Sequence, residues 1–116
     1  MGAAASAGVL AAGATWRLAG IPAAGRALVA AATTGGENER TMAGMLLVRA
    51  GDRSVPLVMA AILDGATGRE LPDVLASIGT DRARAALVTL VREAPEVRAA
   101  AAEALATLDA IRDLDR

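Results

Sequence analysis

Three short segments of this chain keep step with one another. Arg26-Ala27-Leu28-Val29, Pro56-Leu57-Val58-Met59 and Ala85-Ala86-Leu87-Val88 start 30 and 29 positions apart, each a few residues after a glycine-marked break. A second set of anchors runs in register with the first: Trp16 to Gly20, Leu47 to Gly51, Leu75 to Gly79 and Leu105 to Asp109. Each pairs a bulky apolar residue with a turn residue four positions later. Two independent markers sharing one period define an internal repeat. A period near 30 is the length of a helical hairpin, a unit too small to bury its own apolar face and therefore stacked on its neighbours. The expected fold is all-α, a right-handed α-α superhelix, or solenoid, of about three and a half hairpins around one elongated interior. The units fall at about 1–34, 35–66, 67–94 and 95–116, the last incomplete.

The helices follow from apolar periodicity and from stop signals. Helices are expected over about 3–17, 22–32, 37–50, 54–64, 70–78, 81–93 and 95–108, with the partner of the last missing or reduced to residues 110–116. Gly51 can adopt the left-handed conformation that closes a helix. Thr80 or Asp81 suits a helix start, where a side-chain oxygen accepts from free amides. Pro95 is preorganised for a first helical position. Pro72 falls inside an expected helix, where it should kink or delay it. In the last long helix Val97, Ala101, Leu105 and Leu108 share one face, and Ala86, Leu87, Leu90 and Val91 make a similar stripe in the helix before it. No alternating run of β-branched or aromatic residues suggests a strand.

Composition narrows the function classes. The 116 residues are enough for one domain and too few for two. Phe, Tyr, His, Cys and Lys are all absent, so a nucleophile or general base would have to come from Asp, Glu, Ser or Thr, and thiolate or imidazole zinc sites are excluded. All twelve basic residues are Arg, a usage that points to a GC-rich bacterial genome. Thirteen acidic residues balance them, so the basic excess that nucleic-acid binding draws on is missing. The apolar stretch from Met1 to Trp16 is too weakly hydrophobic for a membrane span and lacks the basic start of a signal peptide. A cytoplasmic location is expected. No catalytic residue, metal site or cofactor is expected.

Few side chains stand out. Glu37 with Glu39, Glu93 with Glu96 and Asp113 with Asp115 form acidic pairs, but most lie near helix ends, and negative charge at a helix start is favoured by the helix dipole, so the first two pairs read as helix-end charges. Ser6 and Ser54 have no nearby base. Trp16, the only aromatic residue, shares its register with Leu47, Leu75 and Leu105 and is expected in the core. Met42, Met45 and Met59 read as core fillers. The functional candidates are Arg26, Arg53, Arg82 and Arg84, which recur near the starts of second helices. Stacked in a row, their guanidinium groups could read carboxylates on a protein partner. The ordinary alternative is a solvated face with Asp52 and Asp81 as local partners.

The segment from Pro95 to Leu105, Pro-Glu-Val-Arg-Ala-Ala-Ala-Ala-Glu-Ala-Leu, resembles the first helix of a HEAT repeat in the short bacterial form first associated with phycobilisome lyases. Residues 78–88, Ile-Gly-Thr-Asp-Arg-Ala-Arg-Ala-Ala-Leu-Val, resemble the turn and second helix of that unit. Residues 51–58 match them with one residue deleted. The resemblance covers the chain from about Glu37 onward, and the first unit fits by register only. It implies a solenoid, HEAT or another armadillo-like class, with first helices outside and second helices on a concave inner face. It also implies a non-enzymatic interaction or scaffold module for a protein partner. A lyase-like or cofactor-handling protein is the alternative reading, and a nucleic-acid-binding HEAT-like protein a more distant one. The nearly uncharged first helix and the incomplete last unit suggest ends covered by a second copy, a partner or further repeats.

Overall fold

The computed structural model describes residues 3–19 and 22–115. Seven α-helices lie within them: α1 (Ala3–Ala19), α2 (Pro22–Thr34), α3 (Glu37–Ala50), α4 (Val55–Leu63), α5 (Glu70–Ile78), α6 (Asp81–Glu93) and α7 (Arg98–Leu114). Short 3-10 turns at Gly51–Ser54 and Pro95–Val97 precede α4 and α7, and no strand occurs among the described residues. The Gly20 break lies outside them, as do the side chains of Ser6 and Arg17.

The helix ends follow local chemistry. Thr80 caps α6 by accepting from the amide of Ala83 at 3.1 Å. Gly79 closes α5 in the left-handed conformation, φ 71° and ψ 7°. Gly51 also has positive φ, 67°, but its ψ of −139° lies outside the left-handed helical region, because the chain enters a 3-10 turn there rather than a loop. That turn delays α4 until Val55. Pro72 sits in the first turn of α5, where its missing amide would have had no helical partner. The helix is not kinked there: the amide of Asp73 already donates to the carbonyl of Arg69 at 3.0 Å.

One expectation fails at the carboxyl end. Asp109 is not a turn residue, and residues 110–114 form no separate helix, since α7 runs unbroken to Leu114. The stretch holds neither glycine nor proline, and the Asp109 side chain is held by Arg84, so nothing releases the helix. The buried stripe at this end is Val97 of the preceding 3-10 turn with Ala101, Ala104 and Leu108 of α7, and Leu105 is only half-buried at its edge.

The first helices of successive units pack in order, α1 on α3, α3 on α5 and α5 on α7, while α2 meets α4 and α4 meets α6. Two departures distinguish this packing from a regular stack. Helix α3 packs chiefly on α1 and α2 and meets its own hairpin partner α4 mainly through the intervening 3-10 turn. Helix α2 also touches α5, skipping a unit. The cause is length: α2 has 13 residues and α4 has 9, so α2 extends past α4, and Ala32 near its end borders a groove together with Val74 of α5.

The core is a single cluster. Leu28, Leu47, Val58, Leu71, Leu75, Leu87 and Leu90 are its largest fully buried aliphatic side chains, and each stabilises the fold by about 1.5–3 kcal/mol relative to exposure. Trp16 is buried, 6% exposed. Met45 departs from expectation at 56% exposed, while Met42 and Met59 pack against the core. The radius of gyration is 13.6 Å and the extents are 39 × 31 × 23 Å, close to the roughly 13 Å of an ordinary compact domain of this length. The helices thus form one compact globule around a single core cluster.

Candidate interaction surface

The four candidate arginines have different fates. Arg53 Nη1 donates to the Trp16 carbonyl at 3.0 Å, tying the turn before α4 to the end of α1. Arg84 grips Asp109 of α7 with both arms of its fork, Nε to Oδ1 at 2.8 Å and Nη2 to Oδ2 at 3.0 Å. The hydrogen bond from Arg84 is the main cause that lowers the Asp109 carboxyl below the ordinary carboxylate value. Partial desolvation opposes it, and the positive charges of Arg84 and then Arg112 add to it. The same pairing raises the Arg84 guanidinium. Arg26 and Arg82 are exposed and make no hydrogen bond or ion pair with a described residue. The arginines therefore divide into two that join helices and two that remain open to solvent.

Other polar links also join neighbouring units. Trp16 Nε1 donates to Ser54 Oγ at 3.0 Å, and Ser54 Oγ donates to the Leu47 carbonyl at 2.8 Å. Ser54 is completely buried, so this hydroxyl satisfies an indole and a helix carbonyl at once. Thr80 donates to Asp52, bringing the starts of α4 and α6 together. Arg112 Nη2 reaches both the Gly79 carbonyl, at 2.9 Å, and Asp81, at 2.9 Å. Arg40 approaches Glu70 at 3.8 Å and Arg69 meets Glu103 at 3.1 Å, linking α3 to α5 and α5 to α7. Sequence reasoning missed Ser54, Asp109 and Arg112 in these roles. A signal existed for the last two: Asp109 directly follows the core residue Leu108 and Arg112 lies four positions after it, placing both along the edge of the buried stripe.

Two apolar depressions mark the surface. A cleft of about 600 Å³ runs between α2 and α4, with Val29, Ala30, Leu57, Ala60 and Ala61 as its floor and walls. Arg26 stands at one end and Asp64 at the other, and Leu63 on the rim is 64% exposed. Close packing beneath it comes from Gly25, where an added Cβ would lie 2.6 Å from Leu57 Cδ2 and 2.9 Å from Trp16 Cε3. A groove of about 400 Å³ separates α3 from α5 on the other layer, bordered by Arg40, Gly44, Met45, Val48, Glu70 and Val74 among others. A third, polar recess is lined by Asp81, Arg84, Asp109, Arg112 and Asp113 and is occupied largely by their own ion pairs.

Among the described residues no three acidic side chains converge as metal ligands, and no helix is long and apolar enough to cross a membrane. Compared with protein-family models, curated proteins and solved structures, the chain matches none.

Proposed function

We propose that this protein is a non-enzymatic, cytoplasmic HEAT-like helical-repeat module, a short right-handed solenoid that binds a protein partner on its second-helix face. The observation that carries the reading is the α2–α4 cleft. It is apolar along its length, it has an exposed leucine on its rim, and it ends in an arginine with no ion-pair partner among the described residues. Such a surface suits an apolar segment of a partner with a carboxylate opposite Arg26. The order of packing along α1, α3, α5 and α7, and the polar links between adjacent units, support the stacked-repeat part of the proposal.

Of the four arginines, Arg26 and Arg82 are the ones whose guanidinium groups remain available to a partner. Arg53 and Arg84 contribute by holding the second helices in place. The test is affinity capture from the native host with quantitative mass spectrometry, comparing the natural chain with Arg26→Glu combined with Leu63→Glu. A protein retained in stoichiometric amount by the natural chain and lost from the variant is the expected result. Equal capture by both, with the variant as helical as the natural chain, refutes binding through this cleft.

A further inference from the structure

The groove between α3 and α5 has walls of opposite charge, and that arrangement determines what can face it. Arg40 and Arg49 line the α3 side; Glu70 and Asp73 line the α5 side. Arg40 lies beside Glu70, and a Cβ placed on Gly44 would come within 3.8 Å of Val74 Cγ2, with no other close neighbour. Steps of four residues on each helix therefore stay level, so the two helices run in the same direction. The ion pairs on these walls are loose and exposed, Arg40 to Glu70 at 3.8 Å and Arg69 to Asp73 at 3.6 Å, and Arg49 has no partner among the described residues. Such pairs hold their charges weakly and leave them available to a facing surface.

We propose that this groove is a self-association surface, in which two copies of the chain meet face to face about a two-fold axis lying along the groove. A two-fold interface brings one patch against itself, so the patch must complement its own image. Only two simple placements of the axis exist. An axis along the groove sets α3 of one protomer on α5 of its partner, running parallel, with Arg40 opposite Glu70 and Asp73. An axis across the groove sets α3 on α3 antiparallel. Arg40 then meets Arg49 about a centre at Gly44 and Met45, and like charges oppose. Charge therefore selects the first.

The shapes agree with that choice. Met45, 56% exposed, is the one large apolar side chain that rises from the groove wall, and the open notch at Gly44 is where a side chain from a facing copy can enter. The assembled pair is a four-helix layer of α3, α5 and their images, closed over Ala32, Gly44, Met45, Val48 and Val74. The partner proposed for the α2–α4 cleft plays no part in it, and either surface can fail without the other.

Sedimentation equilibrium tests the idea with two charge-reversed variants. Arg40→Glu sets the introduced glutamate against the acidic wall of its own image. Glu70→Arg with Asp73→Arg opposes its image in the same way with positive charge. Each alone raises the dimer dissociation constant by about tenfold or more. An equimolar mixture of the two restores dimers, because every reversed wall then faces its complement. Met45→Lys, on an exposed side chain, weakens the dimer while circular dichroism stays unchanged. A natural chain that is strictly monomeric up to about 1 mM overturns the proposal. So does an Arg40→Glu variant that dimerises more tightly, since that is the signature of the axis across the groove.

Discussion

Replacing Ser54 with alanine removes one hydroxyl, yet two buried groups depend on it. The indole N–H of Trp16 loses its acceptor and the carbonyl of Leu47 loses its donor. Each hydrogen bond contributes about 0.5–1.5 kcal/mol net, and a buried donor left unsatisfied costs about 1–3 kcal/mol. Because Ser54 is fully buried and Trp16 nearly so, water does not readily replace the lost partner. The expected destabilisation is about 2 kcal/mol. With an unfolding entropy of about 2.1 cal/mol/K per residue, that lowers Tm by about 8 °C. Thermal and urea unfolding, followed by far-ultraviolet circular dichroism so that the same probe serves variants without the tryptophan, measure the change directly.

A double-mutant cycle separates this account from simple loss of packing. In a Trp16→Phe background the indole donor is already gone, so Ser54→Ala should cost about 1 kcal/mol less than it does in the natural chain. An equal cost in both backgrounds, or a change below about 0.5 kcal/mol in the natural chain, would refute the relay from α1 through the 3-10 turn to α3.

Other perturbations follow from the same geometry. Gly25→Ala drives a methyl group into Leu57 and Trp16 and should lower stability by about 1–3 kcal/mol in urea titration; a neutral result would mean that α1, α2 and α4 approach less closely. Gly79→Ala has room for its methyl group but keeps a left-handed backbone, so a loss of about 1 kcal/mol in thermal unfolding is expected. Asp109, whose folded carboxyl titrates below its ordinary value because of Arg84, contributes stability that is complete above the unfolded value. That contribution disappears as pH falls through the lowered folded one. The natural chain should therefore be more stable than Asp109→Asn at pH 6, with the two converging below about pH 4; parallel acid profiles would contradict the pairing.

The helices were legible in the sequence because the repeat is marked twice over. Gly79 as a left-handed helix stop and Thr80 as a cap are local signals that local geometry obeyed, whereas Gly51 and Pro95 mark helix boundaries but lead into 3-10 turns. Asp109 was misread because an acidic residue in the register of a glycine looks like a turn, whereas its carboxylate answers to Arg84, 25 positions earlier. Long-range pairing of that kind leaves no periodic trace. The arginine row was the least legible feature: the register places Arg26, Arg53, Arg82 and Arg84 at similar heights on second helices, but the direction of each side chain depends on neighbours. Arg53 turns back to the Trp16 carbonyl and Arg84 crosses to α7. Helix lengths decided the rest, since a short α4 lets α2 reach α5, a contact the repeat alone would forbid.

Hydrogen exchange on the complex captured from the native host addresses the functional reading most directly. Binding on the second-helix face predicts new amide protection at the α2–α4 cleft, concentrated in residues 26–30 and 57–64, with α7 unchanged. Protection confined to α7 or to the α3–α5 groove, with the cleft exchanging as in the free protein, would contradict it.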